Sequence, residues 1–227
     1  MTRTAGDPGG RVRAGEAPGA PTWARQVEPV PVAVFASGAG SNFRRLCEAA
    51  AAGELGAGRV ALLVSDRPAC GAVEQARRLG VPAFARTHRA DGGRAAWEAA
   101  ALERLRESRI ELVVLAGYMR LVGETLLSAY GGRIINIHPS LLPHFPGLNA
   151  VGQALAAGAA ETGVTVHFVD EGMDTGPVIA QAAVPVRADD TEESLLARVH
   201  AAEHRLLPAV VRDLCARARR ADGPQAR

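Results

Sequence analysis

Short apolar runs alternate with amphipathic stretches from residue 31 onward, and this alternation constrains the fold more than any other feature. The apolar runs, each about as long as one strand, are VAVFAS (32–37), VALLVS (60–65), VPAFAR (81–86), ELVVLAG (111–117) and RIINIH (133–138). The stretches with helical periodicity lie near residues 42–52, 72–79, 94–106 and 124–130. This repeat predicts an α/β fold, a single-domain doubly wound mostly parallel sheet of Rossmann-like type.

The pattern changes after residue 138. PSLLPHFPGLN (139–149) is rich in proline, and we expect it to be irregular before a short helix near 150–157. Two runs that alternate more strongly follow, at 163–170 and 177–186, and only six residues join them. Because six residues are too few for a crossover helix, we predict antiparallel edge strands here.

The two ends of the chain differ in composition from the body. We predict a disordered N-terminal extension over 1–30, a catalytic domain over 31–215 and a disordered basic tail over 216–227. A last helix is expected from Thr191, which would be its N-cap, to about residue 215. The formal charge of +2 comes from the arginine-rich ends, so the body gives no indication of nucleic-acid binding.

Composition also excludes some chemistry. All 26 basic residues are arginine, so no lysine is available for Schiff-base catalysis. The 3 cysteines are scattered, which is typical of a reducing compartment and not of a disulfide scaffold. We find no signal peptide and no apolar run long enough to span a membrane, and therefore expect a cytoplasmic protein without a membrane partner.

A glycine-rich loop, SGAGSN (37–42), follows the first strand and opens a helix. The free amides of a helix N-terminus bind anions, so this loop predicts a phosphate site. Phe43 stands where a dinucleotide fingerprint has its third glycine, which favours a single phosphate over a pyrophosphate. The alternative is a purely structural turn. We interpret Asp66, after the second strand, as a turn residue as well.

Asn136 and His138 end a strand in the middle of the predicted sheet, at the carboxyl edge where such folds bind ligands. Residues two apart on a strand point to the same side, so this amide and imidazole can act together on a carbonyl group. The loop that contains Asp174 should reach the same edge and orient His138. The alternative for His138 is a structural, hydrogen-bonded residue.

A metal site is the other candidate at this edge. His138, His144 and His167, with Asp170 or Asp174, are metal-ligating residue types, but their convergence has little support from spacing. We therefore predict no metal. We assign no chemistry to the remaining histidines, and no serine lies in the elbow motif of hydrolases.

Several segments, in the same order, resemble the phosphoribosylglycinamide formyltransferase family over about residues 31–214. The segments that match are VAVFASGAGSNFRRL, VVLAGYMRLV, GRIINIHPSLLPHFPG, GVTVHFVDEGMDTGPVI and ARVHAAEHRLLPAVV. The family commonly has histidine where this chain has Asn149, and this affects the expected detail of one loop only.

The resemblance implies a role for each matching residue. The implied catalytic residues are Asn136, His138 and Asp174. The implied ribonucleotide-binding residues are Gly40, Ser41, Asn42 and Glu203. The implied folate-binding residues are Arg94, Met119, Arg120, Leu121, Val122, Asn136, Asp170, Glu171, Gly172, Met173 and Asp174.

The resemblance also implies the reaction. The expected enzyme transfers the formyl group of 10-formyltetrahydrofolate to the amine of 5'-phosphoribosylglycinamide, in de novo purine biosynthesis, by direct attack and without a metal. Its partners are expected to be small molecules, and the chain a monomer or a homodimer. The alternatives are a formyltetrahydrofolate hydrolase, which would carry an N-terminal regulatory domain, and a non-catalytic nucleotide-binding paralogue. A methionyl-tRNA formyltransferase would need a further C-terminal domain and a basic face.

Overall fold

The structure is a computed structural model that describes residues 28–221. These residues form one seven-stranded sheet with the strand order β3-β2-β1-β4-β5-β6-β7. The strands are β1 (Val30–Phe35), β2 (Gly58–Ser65), β3 (Ala83–Ala85), β4 (Leu112–Leu115), β5 (Ile134–His138), β6 (Glu161–Phe168) and β7 (Val178–Pro185). The first five strands pair in parallel, whereas β6 and β7 are antiparallel to their neighbours. The predicted fold class is confirmed, including the antiparallel edge.

Helices cover both faces of the sheet. They are α1 (Ser41–Ala51), α2 (Gly71–Leu79), α3 (Arg94–Glu107), α4 (Glu124–Tyr130), α5 (Ala150–Ala156) and α6 (Glu192–Ala221). Most predicted elements differ from these bounds by one or two residues at their ends. Thr191 caps α6 as predicted, since its Oγ1 accepts a hydrogen bond from the Ser194 amide at 3.2 Å.

Two hydrophobic clusters fill the space between the sheet and its helices. Strand β1 is buried along all six residues and contributes to both clusters, because alternate side chains point to opposite faces. Val32 and Val34 pack towards α1, α2, α5 and α6. Ala33 and Phe35 pack towards α3 and α4, where the Phe35 ring meets the Trp97 ring edge-on at 6.5 Å between centroids. Burial on both sides explains why the central strands read as unbroken apolar runs.

The predicted C-terminal tail is partly wrong, because α6 continues to Ala221. Alanine and arginine are strong helix formers, and the next glycine and proline after Cys215 are Gly223 and Pro224. Residues 222–227 lie outside the described residues, as do residues 1–27 of the predicted N-terminal extension. No helix within residues 28–221 is long and apolar enough to cross a membrane.

Arg219 attaches the end of α6 to the start of the sheet. Its guanidinium donates to both Glu111 carboxylate oxygens, at 2.6 and 2.9 Å, and to the main-chain oxygens of Glu28 and Pro29, at 2.6 and 2.9 Å. The side chain is only 14% exposed. A basic residue of the predicted tail therefore anchors the helix to the residues that precede β1.

We predict that Arg219→Ala lowers the free energy of unfolding by about 1–2 kcal/mol, because charged hydrogen bonds to half-buried acceptors are lost. Urea denaturation followed by circular dichroism measures this change. Arg212→Ala is the matched control on the same helix, because its ion pair with Asp213 has both partners more than half exposed and should contribute little. Equal losses in the two variants would contradict the anchoring role.

Candidate active site

A cleft of about 560 Å³ opens at the carboxyl edge of the sheet, where the strand order reverses. After β1 the chain passes to α1 on one face, and after β4 it passes to α4 on the other face. The connections therefore diverge and leave a crevice between them, which is the usual ligand position in this class of fold. The volume suits a small-molecule site.

Fifteen of the sixteen residues given a binding or catalytic role from the sequence line this one cleft. They are Gly40, Ser41, Asn42, Met119, Arg120, Leu121, Val122, Asn136, His138, Asp170, Glu171, Gly172, Met173, Asp174 and Glu203. The exception is Arg94, which lies outside the lining and forms an ion pair with Glu98, 3.1 Å from Nε to Oε1. The Glu98 carboxylate in turn accepts from the amide of Gly123, beside Val122.

The glycine-rich loop turns sharply into α1 at Gly40, whose φ of +77° lies in the left-handed region. A Cβ atom at this position would lie 2.7 Å from Cα and Cβ of Ala72, so only glycine fits between the loop and α2. Gly40 also provides no side chain to cap the helix. The first-turn amides of α1 therefore remain available for an anion in the cleft.

Asn42 and Glu203 join this loop to α6. The Asn42 Nδ2 group donates to Glu203 Oε2 at 2.8 Å, and both side chains are more than nine-tenths buried. Burial raises the pKa of the Glu203 carboxyl, and the hydrogen bond from Asn42 and the charge of His200 oppose it only in part. Oδ1 of Asn42 is buried without a hydrogen-bond partner in the described part of the chain, so this corner of the cleft contains an unused acceptor.

Asn136, His138 and Asp174 lie in contact with one another. Asn136 and His138 point to the same side of β5, as their spacing predicts, and the loop after β6 brings Asp174 across to them. The Asn136 amide donates to Asp174 Oδ1 at 3.3 Å, and Nδ1 of His138 lies 3.4 Å from Asp174 Oδ2. The amide of Gly147 donates to the same Oδ2 at 2.9 Å. One carboxylate thus orients both polar groups.

Both ring nitrogens of His138 face acceptors. Nε2 lies 2.9 Å from the main-chain oxygen of Phe145, which can only accept, so Nε2 carries a proton. Nδ1 faces the carboxylate of Asp174. A proton on Nδ1 as well would face the Asp174 carboxylate, and a ring with both protons can stabilise a negative charge in the cleft.

His167 belongs to the same group, although sequence reasoning left it without a role. Its Nδ1 donates to the main-chain oxygen of Phe168 at 2.7 Å. Its Nε2 lies 3.1 Å from Nδ2 of Asn136 and 3.6 Å from Oδ1 of Asp174. Asn136 and His167 are direct cross-strand neighbours, so only the register of β5 against β6 could have revealed the contact.

The pKa of Asp174 lies below its usual value. Burial acts to raise the pKa, but interactions with the ring of His167, the Gly147 amide and the charge of His138 outweigh it. The residue has a φ of +58°, in the left-handed region that Asp tolerates better than most residues. Asp174 is therefore ionised at neutral pH. Within residues 28–221, no group of three or more His, Cys, Asp or Glu side chains is arranged to hold a metal ion.

The family of this chain follows from comparison with known proteins. The sequence profile of the family described as "Formyl transferase" matches residues 30–211, which is most of the chain. The chain belongs to the formyl transferase family. It is 51% identical over 182 residues to phosphoribosylglycinamide formyltransferase from Bacillus subtilis, covering 80% of this chain and 93% of the relative. The resemblance seen in the sequence is confirmed.

Other formyl transferases support the same grouping. The crystal structure of glycinamide ribonucleotide transformylase 1 from Geobacillus kaustophilus superimposes with a TM-score of 0.80 at 54% identity, covering 83% of this chain and 100% of that one. A trifunctional purine biosynthetic protein, adenosine-3, from Drosophila melanogaster is 43% identical over 178 residues, which are 78% of this chain and 13% of that larger protein.

Asn149 stands where the sequence resemblance leads us to expect histidine, and the structure shows how the chain accommodates asparagine. The residue has a φ of +54° and caps α5, with its Oδ1 accepting from the Gly152 amide at 3.3 Å. A Cβ atom at Gly152 would overlap the Asn149 side chain, with its Cγ and Oδ1 at 2.8 Å. The cap therefore requires glycine three residues later.

We predict that Glu203→Gln raises the melting temperature at pH 8 and that this gain shrinks towards pH 4. A carboxyl whose pKa is raised in the folded state stabilises the fold below its unfolded pKa of about 4.3 and loses that contribution as the pH rises through the folded value. Glutamine remains neutral and keeps an acceptor for Asn42. Differential scanning calorimetry between pH 4 and pH 8 measures the difference.

The matched control for this prediction is Glu48→Gln on α1, a carboxylate whose side chain is 48% exposed and pairs with Arg44 on the surface. It should change the melting temperature little at any pH. A gain for Glu203→Gln that did not depend on pH would contradict burial as the cause.

Proposed function

We infer that this chain transfers the formyl group of 10-formyltetrahydrofolate to the amine of 5'-phosphoribosylglycinamide, giving formylglycinamide ribonucleotide and tetrahydrofolate in purine biosynthesis. One observation carries the inference. A formyl transferase chain has a phosphate-type loop and an Asn–His–Asp group in a single cleft. The residues to which we assign the chemistry, Asn136, His138 and Asp174, line this cleft within one chain.

The ribonucleotide is assigned to the end of the cleft formed by α1 and α6. The phosphate accepts hydrogen bonds from the amides of Ser41 and Asn42, where the helix dipole favours negative charge. Gly40 allows the close approach, since no side chain covers the amides. Glu203, which is held by Asn42, is the acceptor for the hydroxyl or amine groups of this substrate.

The folate is assigned to the segment after β4 and to the Asp170–Asp174 loop. The segment presents Met119 and Leu121, which are 52% and 54% exposed, as apolar surface for the rings of the folate. The loop is held by Asp170, whose Oδ1 accepts from the Gly172 amide at 3.0 Å and the Thr175 hydroxyl at 2.7 Å. Arg94 lies outside the lining of the cleft. It forms an ion pair with Glu98, whose carboxylate contacts the main chain of this segment at Gly123.

The chemistry follows from the side chains at the centre. The substrate amine attacks the formyl carbon, and the oxygen of the tetrahedral species becomes negative. The Asn136 amide exchanges one of its acceptors, His167 or Asp174, for this oxygen. Nδ1–H of His138 is the second donor, because its 3.4 Å separation from Asp174 is longer than a charge-assisted hydrogen bond of about 2.8 Å. Such preorganised donors are the largest expected contribution to the rate.

The proton balance of the reaction assigns Asp174 its role. The attacking amine loses one proton as the new carbon–nitrogen bond forms. The bond from the formyl carbon to the folate nitrogen then breaks, and that nitrogen takes up one proton. Asp174, ionised because of its lowered pKa, accepts the first proton and passes it on through water or His138.

An assay with purified protein tests the proposal. When both substrates are present, we expect release of tetrahydrofolate. The change in folate absorbance measures this release. No release is expected without the ribonucleotide, because the amine is the nucleophile. Release without the ribonucleotide would identify a hydrolase, and no reaction in either mixture would identify a binding protein.

The variants His138→Ala and Asp174→Asn extend the same test. Each should lower kcat by about two orders of magnitude or more, because the oxyanion or the transferred proton loses its partner. Circular dichroism spectra like those of the wild type would show that the fold is intact. Near-normal rates in both variants would overturn the assignment of the catalytic residues.

We predict that Gly40→Ala raises KM for the ribonucleotide about tenfold or more and KM for the folate much less, since the Cβ atom displaces the phosphate loop from Ala72. Steady-state kinetics with each substrate varied in turn measures the two constants. The matched control is Gly53→Ala, which has a similar φ of +74° but nothing within 4 Å of its Cβ and lies outside the cleft. A similar rise of both constants would contradict a separate phosphate loop.

A further inference from the structure

The segment between β4 and α4, residues 116–123, forms one wall of the cleft and is here named the β4–α4 segment. It has no regular secondary structure, and it exposes Met119 and Leu121 to the cleft by more than half of their surface. Apolar side chains on an irregular segment keep their position only if the main chain is held by other contacts. Two buried carboxylates provide these contacts.

Asp66, at the end of β2, holds the first part of the segment. Its side chain is 1% exposed. Oδ1 accepts from the Ser37 hydroxyl at 2.6 Å, and Oδ2 accepts from Nε of Arg120 at 3.0 Å. The Ser37 oxygen accepts in turn from the main-chain amide of Met119 at 3.1 Å. Asp66 is therefore not a simple turn residue: it joins the ends of β1 and β2 to the β4–α4 segment.

The contacts of Asp66 also determine its charge. Burial acts to raise the pKa of this carboxyl, but the hydrogen bonds from Ser37 and Arg120 outweigh it, so the pKa lies below its usual value. Asp66 is thus an ionised, buried group with a charged partner on the segment. Removal of the charge leaves Arg120 without the partner that orients it.

Glu98, on α3, holds the last part of the segment. Its side chain is 5% exposed, and its Oε1 accepts from the main-chain amide of Gly123 at 2.8 Å and from Nε of Arg94 at 3.1 Å. A Cβ atom at Gly123 would lie 2.5 Å from Glu98 Oε2 and 2.6 Å from Arg94 Nη2, so the absence of a side chain lets the carboxylate reach the main chain. Near the start of the segment, the ring of Tyr118 stacks on Trp97 with 6.1 Å between the ring centroids.

We propose that Asp66 and Glu98 are positioning residues that hold the β4–α4 segment in the shape that binds folate. The proposal rests on the proposed function, since it assigns the folate to this wall. Neither carboxylate lines the cleft, so neither touches a substrate. Each acts through contacts with the main chain and with an arginine, so the segment is already ordered before folate binds. Folate binding therefore does not lose affinity through ordering of the segment.

The same contacts assign a role to the two arginines. Nε of Arg120 and Nε of Arg94 each donate to a buried carboxylate of the protein. Each guanidinium is therefore oriented by a buried carboxylate, while about half of its side chain stays exposed, 50% for Arg94 and 53% for Arg120.

The test uses Asp66→Asn and Glu98→Gln in the full chain. Each variant should raise KM for 10-formyltetrahydrofolate about tenfold, leave KM for the ribonucleotide within about twofold, and leave kcat at saturating folate within about threefold. A purely structural role would lower stability without separating the two KM values. Steady-state kinetics, with thermal unfolding recorded on the same samples, provides all of these measurements.

Asp190→Asn is the matched control. Asp190 also has a buried carboxylate, 3% exposed, that forms an ion pair with an arginine, Arg198, and neither residue lines the cleft. This variant should lower stability to a similar extent without any selective change in KM for the folate. If Asp66→Asn and Asp190→Asn changed the two KM values alike, or Asp66→Asn changed neither, the proposal would be overturned.

A second variant keeps the test decisive if Asp66→Asn does not fold. Ser37→Ala removes only the hydroxyl that links Asp66 to the Met119 amide and should raise KM for the folate severalfold. An unchanged KM for the folate in Ser37→Ala would overturn the link. The activity of the wild type tests the proposed function separately. If the wild type transfers formyl groups and these variants keep a normal KM for the folate, only the positioning role is disproved.

Discussion

The reversal of strand order between β1 and β4 is the constraint on which the site depends. Adjacent parallel strands whose following helices pass to opposite faces cannot close over their own carboxyl ends, so a crevice forms between the two connections. One connection is the glycine-rich loop and the other is the β4–α4 segment. The two walls of the cleft therefore belong to different faces of the sheet and to different hydrophobic clusters.

The proposed catalytic residues lie on or after the next strands of the sheet, where parallel pairing changes to antiparallel. Asn136 and His138 come from parallel β5, whereas His167 comes from antiparallel β6. Because β6 is antiparallel to β5, it ends beside Ile135, near the start of β5. The loop after β6 then extends to Asn136 and His138 and brings Asp174 into contact with both side chains.

The sequence predicts the fold well because the signals are local. Apolar runs, helical periodicity and the Thr191 cap each occupy a few residues, and their pattern specifies the sheet and its antiparallel edge. The lining of the cleft by Asn136 and His138 also follows from the end of β5, whereas the contact of Asp174 with them depends on the path of the loop after β6. The contact of His167 with Asn136 requires the register of two strands, and the buried role of Asp66 requires the positions of β1, β2 and the β4–α4 segment together. The anchoring of α6 by Arg219 depends on Glu28, Pro29 and Glu111, which are distant in sequence, so a basic composition does not reveal it.

The cap of α5 has a consequence for how this chain can diverge from its relatives. Asn149 and Gly152 are compatible as a pair: the asparagine cap occupies the space that any Cβ at Gly152 would take. The effect of a substitution at either position therefore depends on the residue at the other, so the two sites are epistatic. A chain that acquired a side chain at 152 first would lose the cap beside Leu148, a residue of the cleft rim, before a replacement at 149 could compensate. The order of two such mutations, and not only their sum, therefore determines whether the cap is kept.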